Sequence, residues 1–287
     1  KPGEALSYLL IGPLSSGRYI ASIFERASTL IFTGLAITII FRAGEFNMGV
    51  EGSFYLGAVA ATVVALSIPL PAGVHTAVAV LAGALAGALF CGIPGFIKLR
   101  WGADEFVVSI MMNYIALYLG LYVINHFYLD SHANTFGSEK FGATVPFSNL
   151  ISGTRVHGGM VVMLVVLVLV CIFLFRTKTG YQIAVLGKNA QFARYAGVRV
   201  GFVSVLSHLL GGAVAGAGGA VELLGMYSRF QWSALPGYGW DGVIVAILAR
   251  NNPAMVPFAA IFLAYLRIGS DIMTLRTEVP AQIVTVI

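Results

Sequence analysis

Apolar residues run through this chain in blocks, at 27–41, 54–68, 74–97, 106–124, 160–175, 202–226, 243–248 and 256–266. A helix of about 20 apolar residues crosses roughly 30 Å of hydrocarbon, so the longer blocks read as transmembrane helices. The first, second, fifth and last are short, and 243–248 cannot span alone. Block length, abundant Ala and Leu, and the lack of dyad alternation favour helices over barrel strands.

The polar residues between blocks carry the candidate chemistry. FRAGEFNMGVEGS, residues 41–53, sets Arg42, Glu45, Asn47 and Glu51 among Gly44, Gly49 and Gly52, between two of the short blocks. It is either a solvated cytoplasmic turn or a broken helix at membrane depth, where irregular backbone survives only if it lines a protein cavity. In the second reading the glycines permit the backbone, and Asn47 and Glu51 face a pathway. YGWDGVIVAILARNNP, residues 238–253, is a half-length apolar run flanked by Asp241 and Arg250 and stopped by Pro253, the pattern of a broken or re-entrant helix. Its Trp240 either stacks on a base or sugar face or anchors at the interface.

Asn113, a lone amide within a span, either bonds a neighbouring helix or a cargo hydroxyl. Glu222, toward the outer end of its helix, either snorkels or lines a polar route. Gly212, Gly216 and Ala220 recur every fourth residue and give a smooth face for close helix packing, as do Gly83 and Gly87. The glycines of GGAVAGAGGAVELLG follow no strand, so they do not read as a phosphate cradle.

Composition fixes the solvent. Of 287 residues 58% are hydrophobic and 10% charged, and mean hydropathy is +0.88. Twelve acidic and seventeen basic residues cannot cover a soluble domain of this size, so the chain is an integral membrane protein. Its net charge of +5 belongs to cytoplasmic loops and not to nucleic acid, because no basic run is interleaved with aromatics. The stretch 176–199 holds Arg176, Lys178, Lys188, Arg194 and Arg199 with no acidic residue, so it is cytoplasmic. The loop 126–158 balances Asp130 and Glu139 against Lys140 and Arg155 and suits the outside. Counting back puts 98–104 inside, 69–73 outside and the 41–53 motif at or near the cytoplasmic side.

Cys91 and Cys171 fall inside apolar runs and read as reduced, structural thiols. No cleavable signal is visible, and the chain reads as beginning partway into a protein. His126, His132 and His157 lack metal-ligand spacing, so no metal site is expected. No nucleophile stands near a base and there is no Walker-type glycine-lysine loop, so any ATP that drives the protein is bound by another chain.

FRAGEFNMGVEG, ADEFVVSIMMNYIA, AVLGKNAQFARYAGV, GGAVAGAGGAVELLG and GYGWDGVIVAILARNNP occur in this order. Together they resemble the permease subunits of ABC importers of the ribose and branched-chain amino-acid class. The nearest branch pairs with a basic-membrane-protein-type lipoprotein and typically carries a nucleoside. The resemblance runs from about residue 3 to the last; Met48 and Ser53 depart mildly from the usual pattern and leave nucleoside against simple sugar open.

The resemblance implies one all-α polytopic permease domain over 1–287, of about eight to ten transmembrane or half-membrane helices with broken segments, a first helix upstream of Lys1 and a last helix continuing beyond Ile287. It makes 184–200 a cytoplasmic coupling helix that docks on an ATPase subunit. There Lys188, Asn189 and Arg194 supply polar contacts, Phe192 and Tyr195 anchor, and Gly197 ends the helix; on charge alone an ordinary positive-inside loop explains the stretch. The implied partners are ATPase subunits holding ATP and Mg, a second permease, an extracytoplasmic binding lipoprotein and lipid, in a bacterial inner membrane. The alternative is an ion-coupled secondary transporter with Glu51, Glu222 or Asp241 as coupling groups; an intramembrane enzyme would lack a catalytic constellation.

Overall fold

Among the residues described by the computed structural model, 2–132, 135–150 and 156–277, seven helices are long and apolar enough to cross a membrane. Arg155, counted above in the outer loop, and the end of the chain from 278 lie outside the described residues. The seven are α2 (Gly17–Arg42), α3 (Val50–Ser67), α4 (Val74–Trp101), α5 (Glu105–Val123), α6 (Gly159–Arg176), α9 (Val200–Met226) and α11 (Val256–Arg276). Shorter helices are α1 (Pro2–Leu10), α7 (Lys178–Lys188), α8 (Ala190–Tyr195) and the half-length α10 (Tyr238–Leu248).

Each apolar block falls on one helix, and several helices extend beyond their blocks through polar residues that are capped or paired. α2 starts well before its block: the Ser16 hydroxyl accepts from Arg18 N–H, and Arg26 pairs with Asp271 of α11 at 2.9 Å. Asp104 caps α5 by accepting from Phe106 N–H at 2.8 Å. α4 stops at Gly102, whose φ of 69° suits a residue without Cβ.

α9 forms the centre of the bundle, packed on α4 and α3, with α2 on another side and α10 and α11 beyond α2. Lipid gives helices no hydrophobic reason to associate, so close packing must hold them. A Cβ on Gly216 would lie 2.2 Å from the Gly83 carbonyl oxygen, one on Gly87 2.3 Å from that of Gly212, and one on Gly57 2.2 Å from that of Gly216. Three helices thus meet backbone to backbone. Around them α4, α5 and α6 turn large apolar side chains outward, among them Leu85, Leu89, Ile115, Leu164 and Val168.

The stretch after α9 is irregular. Residues 227–237 lie against α3 through Phe230 and Trp232, which pack on the buried Phe54 and Tyr55. The outer loop covers them: Ser138 N–H donates to Phe230 O and Phe141 N–H to Ser228 O, both at 2.9 Å. This pairing meets the need of irregular backbone for internal partners at membrane depth.

Gly216→Leu should clash with the α4 backbone and cost about 3 kcal/mol or more. Detergent-solubilised protein should fall to near-background yield and melting temperature should drop. Gly17→Ala, where nothing stands within 4 Å of the added carbon, should match wild type in both.

A candidate functional site at two interrupted spans

α2 ends at Arg42, the chain turns at Gly44 (φ 75°), and 43–49 runs back into the bundle before α3 begins. The side chains of neighbouring helices hold this returning segment. Asn47 Nδ2–H donates to Cys91 O of α4 at 3.1 Å, while its Oδ1 accepts from Gly49 N–H at 2.7 Å. Asn113 of α5 donates to Met48 O at 3.0 Å and accepts from Gly52 N–H at 2.8 Å. The Ser109 hydroxyl accepts from Met48 N–H at 2.9 Å. The segment before α3 therefore lies level with Cys91, while α4 continues to Trp101, about 15 Å farther at the helical rise. The segment is irregular backbone held by buried side chains, with Asn47 and Glu51 both buried.

The second interruption meets the first. After 227–237 the chain turns at Gly237 (φ 85°) into α10. The Glu51 carboxylate accepts from Gly237 N–H at 2.6 Å and Gly239 N–H at 2.5 Å. Helix N-termini carry unpaired N–H donors and a partial positive charge, so a carboxylate there satisfies both. Glu51 is 1% exposed, and a Cβ on Gly239 would lie 2.6 Å from its Cα, so the contact also requires glycine. One side chain thus ties the start of α3 to the start of α10.

Near the α2–α3 turn lies an ion network. Lys98 of α4 pairs with Glu45 and, at 3.3 Å, with Glu105 of α5. Glu105 also accepts from Phe46 N–H at 2.5 Å and faces His208 Nε2 of α9 at 3.2 Å. His208 Nδ1 lies 2.8 Å from Ser204 O, so both ring nitrogens face acceptors. Ligand atoms of Glu45, Glu105 and His208 lie within 4.8 Å of one another, as metal ligands do, but the Lys98 ammonium already bonds both carboxylates and supplies the cation.

The remaining sequence candidates are spread through the fold. Glu222 is buried instead of snorkelling; it accepts from Thr29 of α2 and from the Tyr238 hydroxyl at 3.4 Å. Asp241 pairs with Arg267 of α11 at 2.5 Å, and Trp240 is half exposed on the first turn of α10. The stretch 184–200 is not one short helix: α7 runs into it and Asn189 caps α8 by accepting from Phe192 N–H at 2.9 Å. Phe192 and Tyr195 are 59% and 83% exposed, and Gly197 (φ 78°) follows the helix end. Gly187 touches the broken segment, since a Cβ there would lie 2.1 Å from Arg42 O.

The outer-loop histidine His157 is buried, which pushes its pKa down, and its Nδ1 accepts from Gly159 N–H at 3.1 Å. Sequence reasoning passed over Lys98, Glu105 and His208. The available signal was a lone histidine in an apolar run, with carboxylates at two helix ends.

A family model described as the permease component of the branched-chain amino acid transport system matches residues 19–286. The chain is similar to the guanosine ABC transporter permease NupP of Bacillus subtilis, 34% identical over 276 residues, covering 94% of this chain and 78% of the relative. It is 32% identical over 296 residues to a glucose ABC transporter permease of Haloferax volcanii, covering 100% of this chain and 78% of the relative. It is 30% identical over 289 residues to the nucleoside ABC transporter permease NupB of Lactococcus lactis, covering 97% and 79%.

Glu51→Ala should leave two N–H groups unpaired inside the bundle and lower stability by about 3 kcal/mol. Glu51→Gln, which keeps one acceptor and turns an amide donor toward the other N–H, should lose about half as much. Chemical denaturation of the purified variants should rank them in that order; a Glu51→Ala protein as stable as wild type contradicts the tether.

Proposed function

The chain belongs to the family of permease components described for branched-chain amino acid transport, and from that premise we propose that it is one of two permeases at the core of an ATP-driven nucleoside importer. Cytoplasmic ATPase subunits supply the energy, and an extracytoplasmic binding protein delivers the cargo across a bacterial inner membrane. The relatives named for guanosine and nucleoside transport support this cargo; the glucose permease keeps simple sugars as the competing class.

One observation carries the nucleoside reading. Tyr114, Tyr118 and Tyr122 stand at every fourth position on one face of α5, 59%, 68% and 59% exposed, on the helix whose Asn113 holds the broken segment. Membrane tyrosines favour the interfaces, whereas Tyr114 and Tyr118 lie in the middle of a span running from Glu105 to Tyr128. Such a face fits a polar route closed by the second permease, where flat rings stack on a nucleobase. Asn47, Glu51, Asn113, Glu222 and Asp241 act in this account by holding the interrupted helices that border the route, and Trp240 adds a second exposed ring.

Coupling starts at α8, whose exposed Phe192 and Tyr195 dock on the ATPase. Its movement reaches the site through Gly187, which presses on Arg42 and Gly44, then through Asn47 to α3 and through Glu51 to α10. The transporter is then a two-state element biased by nucleotide at one end and cargo at the other.

Two experiments test the proposal. Phe192→Ala with Tyr195→Ala should leave membrane insertion intact and cut ATPase co-purification and uptake at least tenfold; normal uptake with a full complement of ATPase removes α8 from the coupling route. Tyr118→Ala should lower nucleoside uptake about tenfold, the scale of one base stack, without loss of ATPase assembly. Unchanged uptake would take the stripe out of the pathway, and uptake that follows a proton gradient without ATP would favour the ion-coupled alternative.

A further inference from the structure

We infer that the cytoplasmic end of the bundle carries a binding site for the phosphate of an anionic phospholipid, built by Arg42, Lys188 and Arg250. These cations line a cavity of about 370 Å³ with Phe175, Gly187 and Asn251, and no acidic side chain lines it. The site is independent of the cargo but shares Arg42, Gly187 and Lys188 with the proposed coupling route, and the ATPase arm of the test below separates the two.

The site is built in three ways. First, one guanidinium nitrogen of the partly buried Arg42, Nη1, is itself buried without a hydrogen-bond partner among the described residues. A buried guanidinium donor with no acceptor is costly, and a phosphate oxygen is the acceptor its geometry fits. Second, the Arg42 guanidinium is fixed in place, 5.2 Å over the Phe175 ring. Third, Arg250 and Asn251 both adopt left-handed backbone, φ 51° and 54°, although neither is glycine. Their N–H groups bond back to Ile247 O and Ala246 O at 2.9 Å, which holds the turn that brings both residues to the cavity. Strain of this kind persists where the surroundings enforce it and gathers at binding sites.

The surroundings select a lipid over a free anion. The cavity opens where the cytoplasmic ends of α2, α6 and α10 meet, as the basic 176–199 stretch orients them. Earlier on the same two helices, Leu169 and Ile172 of α6 and Ile247 and Leu248 of α10 are 50 to 60% exposed. Ile172 is one turn from Phe175 and Leu248 two residues from Arg250, so exposed apolar side chains for acyl chains adjoin the residues of a basic pocket for the headgroup. The cytoplasmic leaflet carries anionic lipid, and each basic side chain near its surface adds to attraction.

The test uses the assembled transporter. Phosphatidylglycerol added in detergent should raise its melting temperature, while phosphatidylcholine and inorganic phosphate at the same concentration should not. In native mass spectra, Arg250→Gln should lower the affinity for bound phosphatidylglycerol about fivefold, and Arg250→Lys should retain most of it. Arg250 is exposed, so its variants keep the fold; Arg42→Gln, if it folds, should show the larger loss. Equal stabilisation by both lipids, full stabilisation by inorganic phosphate, or unchanged lipid retention in Arg250→Gln each overturns the site. So does loss of ATPase from Arg250→Gln with lipid binding intact, which assigns the pocket to the partner subunit.

Discussion

Backbone N–H and C=O groups at membrane depth have no water to fall back on, and this constraint shapes the whole molecule. A continuous helix meets it automatically, but this chain interrupts two spans, at 43–49 and 227–237. Asn47, Asn113, Ser109 and Glu105 supply the partners for the first break, the outer loop supplies them for the second, and Glu51 closes both by accepting from the start of α10. Buried polar groups usually weaken a fold; here Asn47, Ser109, Asn113, Glu105 and Glu51 each bond backbone that would otherwise be orphaned.

The interruptions are tolerated because the helices around them are rigid. The backbone contacts of Gly57, Gly83, Gly87, Gly212 and Gly216 pack α3, α4 and α9 closely together. The cytoplasmic network of Glu45, Lys98, Glu105 and His208 pins the returning segment to three helices at once, in the segment that α7 touches through Gly187. Continuous contact therefore runs from the exposed α8 to the start of α10, and the same tether that satisfies the backbone completes it.

Much of this was legible in the sequence. Block length located each of the seven spans among the described residues, and the half-length run at 243–248 marked α10 as incomplete. The positions of Gly83, Gly87, Gly212 and Gly216 announced close packing because their fourfold spacing places them on one helical face. Helix ends were less legible: hydropathy cannot see the cap at Ser16 or the pair of Arg26 with Asp271, so α2 read too short. Partners distant along the chain were invisible for a deeper reason. Nothing in the local pattern of Glu51 indicates that two glycine N–H groups at 237 and 239 complete it, or that Asp241 turns to Arg267. A polar residue in an apolar block must have a polar partner or face water, but a pathway and a buried backbone partner leave the same mark in sequence.

The tether between Glu51 and the start of α10 is the central claim, and amide hydrogen exchange reads it directly. The N–H groups that open a helix have no partner within it and exchange quickly when water reaches them. In the assembled transporter held in nanodiscs, a peptide covering 237–241 should stay protected on the timescale of the α10 interior, because Glu51 holds its amides. Exchange of that peptide as fast as an exposed loop would show that the two broken spans are not joined.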